Sequence, residues 1–411
     1  MKATIPMSLA VVFCTFFSTE NASVLPSDTN EANIIETSNE DATTNKSGLE
    51  FTVSVASINT KYSEFASGIF RNKLIMVSSK KIGGFGNGID DQTNEPYTEL
   101  FCLDVEANGK LSNPLFFSRI LNTKHNEGQV AFSPDEYTIY YTRSERGNSK
   151  NYRLYKAELE PYSHGNWINE TLLTFNSNYS IENPNISSDG KQLFFSSNKP
   201  GGLGGFDLYV ADILEDGSLG VPYNLGPTVN TIKDEKYPFI NPDNDRLYFS
   251  SNGHKGLGGY DIFMSKTIGQ DFERPINLGR DINSSYDELG LLFISEEQGY
   301  FSSNKNGGEG SFDLYNFKAK PIAQTFQGII VDTQTNQPIP DSKVVLLDTN
   351  GKEISTQTTG VDAHFSFSIR AFENYKLKIL KQGFESYEYA FESNNANIET
   401  YKEVLRLSSK N

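Results

Sequence analysis

Short apolar runs alternate with polar turns along most of the chain, and the alternation repeats as a phrase. Residues 194–212 read FFSSNKPGGLGGFDLYVAD, and close copies occupy residues 248–265 and 300–315. Each copy contains an apolar strand, a polar trio, a glycine-rich loop and a second apolar strand. Two degenerate copies precede them, with polar trios at residues 78–80 and 142–144. Short, evenly spaced strands with turn residues between them predict an all-β repeat domain.

A second marker recurs between the units, where a polar segment containing an asparagine ends in glutamate. The asparagine precedes the glutamate by five residues in four copies and by four in the remaining copy. These joint glutamates are Glu64, Glu127, Glu182, Glu235 and Glu288. The first joint has no unit before it, while the fifth unit lacks its outer strand. A ring in which the strand near residues 51–57 completes the fifth unit resolves both irregularities and hides two sheet edges. The sequence therefore predicts a five-bladed β-propeller over residues 49–320.

The repeated units also carry a family resemblance. Residues 182–212 (ENPNISSDGKQLFFSSNKPGGLGGFDLYVAD) and 235–265 (EKYPFINPDNDRLYFSSNGHKGLGGYDIFMS) resemble the WD-like repeat of TolB-type propellers and of Bacteroidetes envelope proteins. The turns SPD at 133–135, SSDG at 187–190 and NPD at 241–243 match the turn between the first and second strands of that repeat. The first two units are the most divergent.

An aspartate follows each of the three clear glycine-rich loops: Asp207, Asp261 and Asp313. Glycines allow a compact reversal there and let backbone segments approach closely. A carboxylate after the loop can accept hydrogen bonds from loop N–H groups or from the hydroxyls of the trio, so we predict a structural role. A cation site in each unit is the alternative. The first two units place Glu99 and Arg153 at this position, and arginine is unsuited to a metal site.

The joint glutamates immediately precede the innermost strands, so they are expected near one mouth of the central channel. We predict that each accepts hydrogen bonds from Ser hydroxyls or backbone N–H groups and locks neighbouring blades together. The alternative is a negative mouth that binds a basic peptide or a cation. Unpaired carboxylates that close together would raise one another's pKa.

From residue 322 the pattern changes to alternating strands separated by the turns TNQPIP and TNGKE, which predicts a small β-sandwich over residues 322–408. This segment is similar to the carboxypeptidase-regulatory-like module, a seven-stranded transthyretin-like sandwich. The matching features are Gly328, QPIPDSKV at 337–344, Gly351, DAHFSF at 362–367 and Tyr375. The family usually has glycine where this chain has Ala363 and His364, so that turn is expected to differ. The resemblance implies an accessory domain without peptidase activity.

The first 18 residues have the pattern of a secretory signal peptide, because Lys2 precedes the apolar run Ile5–Phe17, which is too short to span a bilayer. Residues 19–48 are polar and are predicted to form a disordered tether. Cys14 is a candidate acylation site for a lipoprotein. If it is removed with the signal peptide, Cys102 is the only cysteine left, and no intramolecular disulfide is expected. We therefore predict a periplasmic or outer-membrane-associated protein whose mature chain has no transmembrane span.

The composition argues against several functions. A net charge of −16 disfavours nucleic acid and anionic membrane surfaces as partners. The four histidines, His125, His164, His254 and His364, fall at unrelated positions of the repeat, which predicts neither a catalytic triad nor a metal cluster. GGFGNG at residues 83–88 is not followed by a predicted helix, so it indicates no phosphate site. We predict no catalytic residue, no metal and no cofactor.

The order of signal peptide, tether, propeller and sandwich resembles part of a Bacteroidetes envelope architecture associated with type IX secretion. There an OmpA-like peptidoglycan-binding domain follows the sandwich, and we expect no direct peptidoglycan anchoring by this chain. The resemblance implies a non-catalytic scaffold that binds an envelope protein, such as an outer-membrane or secretion-system component. A glycan- or peptide-binding module is the alternative. A glycoside hydrolase is less favoured, since it needs two or three unique carboxylates, whereas these acids recur in each unit. The loops at 87–97 and 145–152 break the repeat most and are a further candidate binding face.

Overall fold

A computed structural model describes residues 44–410 except 82–87, 93, 113, 164, 174–178 and 350. The predicted signal peptide with Cys14, nearly all of the predicted tether, and His164 lie outside the described residues. Every regular element within them is a β-strand, and no helix there is long and apolar enough to cross a membrane. The predicted all-β class is therefore confirmed for this part of the chain.

Residues 49–321 form five antiparallel sheets whose strands follow one another almost entirely in chain order. The first strand of the chain, β1, spans Leu49–Val55. The first sheet contains β2 (Glu64–Phe70), β3 (Lys73–Ser78), β4 (Glu99–Asp104) and β5 (Leu115–Phe116). The second contains β6 (Glu127–Phe132), β7 (Thr138–Glu145), β8 (Asn148–Leu159) and β9 (Trp167–Leu172). The third contains β10 (Ile181–Ile186), β11 (Gln192–Ser197), β12 (Asp207–Asp212) and β13 (Tyr223–Asn224).

The fourth and fifth sheets have the same strand order as the first three, except that the outer strand of the fifth sheet comes from the N-terminus. The fourth contains β14 (Glu235–Ile240), β15 (Arg246–Ser251), β16 (Asp261–Ile268), β17 (Asp271–Phe272) and β18 (Ile276–Asn277). The fifth contains β19 (Glu288–Ser295), β20 (Gln298–Ser303) and β21 (Asp313–Pro321), and its outer strand is β1. β1 pairs antiparallel with β21 along its whole length, from Leu49 opposite Pro321 to Val55 opposite Tyr315. The pairing predicted for the N-terminal strand is therefore confirmed.

The five innermost strands contact one another in a closed cycle, in the order β2, β6, β10, β14, β19 and back to β2. Because adjacent strands are antiparallel, the innermost strands begin at the same end of the sheets as the loops between second and third strands. We call this the joint end. The opposite end, with the turns between first and second strands and the hairpins between third and fourth strands, is called the hairpin end.

Aromatic residues of the repeated phrase form the cores between and within the sheets. Phe195, Phe249 and Phe301 occupy the same position on β11, β15 and β20, and each is at most 1 % exposed. Phe51 on β1 packs edge-on against Phe317, with ring centroids 5.8 Å apart. The apolar positions that defined the repeat are therefore positions whose side chains are removed from water.

Strand pairing corrects one alignment made from the sequence. Ser197, Ser251 and Ser303 lie opposite Asp207, Asp261 and Asp313, and the equivalent residue of the first sheet, opposite Glu99, is Ser78. The three residues of the first unit that correspond to the polar trio are therefore 77–79, beginning at Val77, rather than the predicted 78–80. In the second sheet the equivalent position is occupied by Arg143, opposite Arg153.

Residues 323–407 form two further sheets around a separate apolar core. The strands are β22 (Ala323–Asp332), β23 (Lys343–Leu347), β24 (Glu353–Thr358), β25 (His364–Arg370), β26 (Asn374–Leu380), β27 (Tyr387–Glu392) and β28 (Thr400–Leu407). One sheet has the order β25-β22-β28, with β22 and β28 parallel, and the other has the order β24-β23-β26-β27. Ala363 adopts the left-handed conformation, with φ of 54°, at the turn before β25. An L-residue there costs about 1–2 kcal/mol.

The C-terminal region contacts the hairpin end of the fourth sheet. Glu373 forms ion pairs with Arg246 (2.5 Å) and Lys266 (2.8 Å), and the Lys266 ammonium also donates to the carbonyl oxygen of Phe372 (2.7 Å). The hairpin between third and fourth strands also contacts a neighbouring sheet in two other cases. The hairpin of the first sheet accepts a hydrogen bond from Tyr300 of the fifth sheet, and that of the third sheet accepts one from Tyr140 of the second sheet. The fifth sheet has no such hairpin, because its outer strand comes from the N-terminus. The turn at 371–374 therefore takes the place of that hairpin on the fourth sheet.

Candidate functional site

Four of the joint glutamates, Glu64, Glu127, Glu235 and Glu288, are fully buried at the joint end. Glu235 is typical. Its carboxylate accepts the N–H and the hydroxyl of Thr231 (both 2.8 Å) and the hydroxyl of Ser251 (2.7 Å). Glu64 and Glu288 have the corresponding partners Thr60 with Ser78, and Ser284 with Ser303. Each of these carboxylates ties a joint to the second strand of the sheet that follows it.

The asparagine of the joint ties it to the sheet that precedes it. Asn230 donates to the carbonyl oxygen of Leu208 (3.0 Å) and accepts the N–H of the same residue (2.7 Å). The same pair of bonds joins Asn59 to Leu314, Asn122 to Leu100 and Asn283 to Ile262. The glutamate therefore fixes the joint to the sheet that follows it, and the asparagine fixes the joint to the sheet that precedes it. The two residues together connect consecutive sheets.

The second sheet replaces the serine hydroxyl by a guanidinium group. Nε of Arg143 donates to Oε1 of Glu127 (3.2 Å), and its two terminal nitrogens donate to Glu170 (both 3.1 Å). Oε1 of Glu127 also accepts the N–H and hydroxyl of Thr123, while its buried Oε2 has no partner. The residue pattern gave one sign of this arrangement, because Arg143 interrupts the series of serines. No repeated pattern in the sequence indicated Glu170.

Burial raises the pKa of Glu64 and of Glu127 to about 7, although hydrogen bonds from the threonines oppose the shift. Burial also raises the pKa of Glu235 and of Glu288. A carboxyl whose pKa is higher in the folded than in the unfolded chain stabilises the fold fully below the unfolded value. That contribution is lost as the pH rises through the folded value.

We therefore expect the free energy of unfolding to fall between about pH 4.5 and pH 7 and to flatten above pH 7, by up to about 3 kcal/mol for each of these two groups. Urea denaturation between pH 5 and pH 8 measures the change. Glu127→Gln is the matched control, since a neutral amide should remove one group's share of the decline. An identical decline in this variant would contradict the assignment to Glu127.

The aspartates after the glycine-rich loops hold those loops in place. Asp261 accepts the N–H groups of Leu257 (2.7 Å) and Gly258 (3.1 Å). Asp207 does the same for Leu203 and Gly204, and Asp313 accepts the N–H of Gly310. Among the described residues, no group of three or more His, Cys, Asp or Glu side chains is arranged to hold a metal ion. The geometry of these aspartates is that of a loop-stabilising carboxylate.

Glycines in these loops are required by close approach to the next joint. A Cβ atom on Gly204, Gly258 or Gly310 would overlap the backbone carbonyl oxygen of Lys233, Tyr286 or Tyr62, respectively. Each loop therefore packs directly against the backbone of the joint that leads into the next sheet.

Gly258→Ala is expected to destabilise the protein by about 1–3 kcal/mol or more, because the backbone that it meets cannot move aside as a flexible side chain would. Chemical denaturation measures the loss. Gly220→Ala is the matched control, since the added Cβ finds only ordinary contacts there, the nearest atom being 3.6 Å away. Equal stability of the two variants would show that the loop is not held against the joint.

Glu182 departs from the other joint glutamates. Strand pairing places Ile181 opposite Ser197, at the position that glutamate holds in the other sheets, and Glu182 follows it. Its side chain is 16 % exposed and forms an ion pair with Lys236 at 2.9 Å. The joint is one residue shorter here, and successive strand residues point to opposite faces. The predicted equivalence of five glutamates therefore holds for four.

Lys236 connects Glu182 to an aromatic residue at the joint end. Its ammonium group lies 3.7 Å from the centroid of the Phe206 ring, which gives a cation–π contact. Lys236 is 20 % exposed and follows the buried Glu235 directly. Sequence reasoning missed both Lys236 and Phe206, since a single lysine after a repeated glutamate has no distinctive pattern.

The innermost strands line a central cavity of about 30 Å³. A water molecule needs roughly 10–15 Å³ of such volume, so the cavity admits about two waters and no sugar ring. Asn183 and Tyr237 lie at bulges of β10 and β14 and have left-handed backbones, with φ of 54° and 55°. Tyr237 stacks on Phe65, with ring centroids 6.1 Å apart, and burial raises its pKa. Aromatic side chains therefore narrow the centre of the ring of strands.

The irregular loop of the first sheet bridges its neighbours at the joint end. Asp90 accepts the hydroxyl of Ser149 (2.9 Å) and the amide of Asn126 (2.8 Å), which belong to the second sheet and its joint. Glu95 accepts the hydroxyl of Ser311 in the fifth sheet (2.5 Å). The acidic residues of this loop are therefore used in contacts between sheets.

No protein-family model and no curated protein matches the chain. Among solved structures, it is similar to TolB from Acinetobacter baumannii (15 % identity, TM-score 0.34, 63 % of this chain and 54 % of that one). A putative TolB from Agrobacterium tumefaciens gives 14 % identity and a TM-score of 0.34, with 61 % and 71 % covered. A glycoside hydrolase gives 10 % identity and a TM-score of 0.45, with 66 % and 90 % covered.

The chain thus spans about half the length of the Acinetobacter protein. These structures are at most 15 % identical to the chain, with TM-scores below 0.5.

Proposed function

We propose that this protein is a non-catalytic binding scaffold of a bacterial cell envelope. In this proposal the five cyclically arranged sheets are the blades of a five-bladed β-propeller, and the C-terminal sheets are a transthyretin-like, carboxypeptidase-regulatory-like sandwich. The cyclic contacts of the innermost strands and the pairing of β1 with β21 support the first assignment. The core shared by the two C-terminal sheets supports the second. The envelope location rests on the predicted signal peptide and on the resemblance of the repeats.

The observation that carries the proposal is the group formed by Glu182, Lys236 and Phe206. It lies where one joint departs from the repeat, so it is a single, partly exposed group of opposite charges and an aromatic ring. Irregular positions on a regular scaffold are where binding residues are usually found. We propose that a segment of a partner protein contacts this group at the joint end.

The same geometry argues against a glycoside hydrolase. That reaction needs two carboxyl groups facing a sugar, about 5–10 Å apart. Glu182 aside, the recurring carboxylates are buried and engaged in loop or joint hydrogen bonds, and the central cavity is too small for a sugar ring. A non-catalytic function is therefore the proposal that the contacts favour.

Site-specific photo-crosslinking in the producing cell tests this proposal. A photoreactive residue is placed at Leu203, 44 % exposed in the glycine-rich loop beside Phe206, and in a second variant at Val361, 93 % exposed in the C-terminal region. We expect one discrete protein adduct from position 203 and none from position 361.

The charge swap Glu182→Lys with Lys236→Glu provides the decisive comparison. The swap keeps two opposite charges but loses the contact of the Lys236 ammonium with the Phe206 ring, so we expect a lower melting temperature with the fold retained. It also reverses the charges presented to a partner. We expect the adduct at position 203 to disappear. An undiminished adduct in the swapped protein, or equal adducts at both positions, would contradict binding at this group.

A further inference from the structure

A second candidate binding site is a pocket with a largely apolar base and a polar rim, between the third and fourth sheets at the hairpin end. The cavity has a volume of about 230 Å³. Its lining includes Phe194, Val210 and Ile240, which are 4 %, 1 % and 5 % exposed, together with the partly buried Leu225 and Phe272. This volume is below the roughly 300–1,000 Å³ of a drug-sized ligand site. It suits a single large side chain.

At the same position between two other pairs of sheets, a hydrogen bond joins a tyrosine to the neighbouring hairpin. The hydroxyl of Tyr140 donates to the carbonyl oxygen of Gly217 (2.9 Å), and the hydroxyl of Tyr300 donates to that of Gly109 (2.8 Å). The third sheet has Phe194 at the equivalent position, opposite Val210. Phenylalanine has no hydroxyl to donate, so this tie to the neighbouring hairpin is missing where the pocket lies.

The cavity beside Tyr140 is larger, at about 620 Å³, but it is a different kind of surface. Its lining includes the charged residues Lys156, Glu158 and Asp216, and the Tyr140 hydrogen bond crosses it. The pocket between the third and fourth sheets also has charged residues among its lining, but Phe194, Val210 and Ile240 form its buried base.

Exposed apolar residues border the pocket. Tyr223 lines it and is 46 % exposed, while Ile268 and Val221, next to lining residues or close to them in sequence, are 58 % and 89 % exposed. Apolar side chains exposed around a buried apolar pocket are the usual form of a protein–protein anchor site. This combination indicates a protein partner rather than a free small molecule.

The charges around the pocket indicate the character of that partner. Asp189 and Asp271 are among the lining residues. The turn and hairpin of the fourth sheet carry further acids at the same end: Asp243, Asp245 and Glu273. Of the nearby cations, Arg246 and Lys266 are engaged by Glu373, which leaves Lys191, 4.0 Å from Asp189, and Arg274. The surface therefore favours a basic segment.

We propose that this pocket binds one large apolar side chain of a partner protein, presented by a segment that carries Lys or Arg beside it. The site lies at the opposite end of the sheets from the Glu182 group. A scaffold with both sites can hold two protein segments at once, and the two sites can be tested separately.

Methyl-labelled protein titrated with capped tripeptides tests this proposal. The probes are Lys-Phe-Lys, Lys-Ala-Lys and Glu-Phe-Glu, each acetylated and amidated. We expect Lys-Phe-Lys to shift the methyl signals of Val210, Leu225 and Ile240 in the millimolar range, as a single anchor residue allows. Lys-Ala-Lys should not shift them, and Glu-Phe-Glu should shift them at least several-fold less. Equal shifts from Glu-Phe-Glu, or no shifts from Lys-Phe-Lys, would overturn the proposal.

Two variants connect the signals to the pocket. Val210→Phe fills it from within, and the exposed Gln270→Trp covers it from the rim without disturbing buried packing. Val361→Trp, at a position 93 % exposed in the C-terminal region, is the matched control. We expect the remaining methyl shifts to be lost in both pocket variants and kept in the control. Shifts that persist in Gln270→Trp would overturn the assignment even if Val210→Phe failed to fold.

Discussion

Deletion of residues 49–55 is expected to leave a protein that is largely unfolded or aggregated at 25 °C. The deletion removes β1, exposes the edge of β21 and takes Phe51 out of its contact with Phe317. Truncation of one buried phenylalanine alone costs about 3–5 kcal/mol, a large fraction of the roughly 5–15 kcal/mol that stabilises a typical protein. Circular dichroism and limited proteolysis measure the loss.

A deletion of residues 19–43 is the matched control, since it removes a longer segment without touching β1. It should melt within a few degrees of the complete chain. Phe51→Ala gives a graded form of the same experiment, with an expected loss of about 3–5 kcal/mol. A fold that survives the loss of β1 with an unchanged melting temperature would show that closure by the N-terminal strand is dispensable.

Glu235→Gln and Glu288→Gln are each expected to lower the free energy of unfolding by about 1–3 kcal/mol. Both oxygens of these carboxylates accept hydrogen bonds, from Thr231 and Ser251 in one case and from Ser284 and Ser303 in the other. An amide would turn its NH₂ group towards a donor and leave that donor without an acceptor. Denaturant titration of each variant at pH 8 measures the effect.

Glu127→Gln distinguishes the loss of acceptors from the loss of charge. All hydrogen bonds to Glu127 go to Oε1, and Oε2 has no partner, so the amide oxygen can accept the same bonds. This variant should therefore be less destabilised at pH 8 than the other two. If all three variants lost the same stability, the number of accepting oxygens would not be the cause. If Glu235→Gln and Glu288→Gln melted like the unaltered protein but lost the crosslinked partner, a binding role for these glutamates would replace the structural one.

Much of the fold follows from local pattern alone. Runs such as QLFF and RLYF alternate with turn residues, and the rule that each β-rich unit must cover its edges predicted that the segment near Phe51 pairs with the strand at Leu314. The change of strand pattern placed the start of the C-terminal segment at residue 322, and β22 begins at Ala323. The positions of strands and turns depend on side chains close in sequence, and the closing strand pair follows from the number of strands. Both can be read from the sequence.

The candidate site follows from the sequence only in part. The repeated asparagine and glutamate identified the joints, and the aspartates after the glycine loops indicated a loop-stabilising role. The exception at Glu182 had a visible sign, a joint shorter by one residue. Its consequence, a side chain turned out of the buried position, depends on the register between β10 and β11.

By itself, the sequence determined where the strands, turns and joints lie, because apolar alternation and glycine positions act over a few residues. Only the tertiary structure decided which carboxylates are buried, that Lys236 meets Glu182 and Phe206, and that Glu373 contacts the fourth sheet. Those contacts join residues as far as 127 positions apart. Their existence depends on how sheets pack and on which face each residue presents, and both are set by the fold as a whole rather than by any short segment.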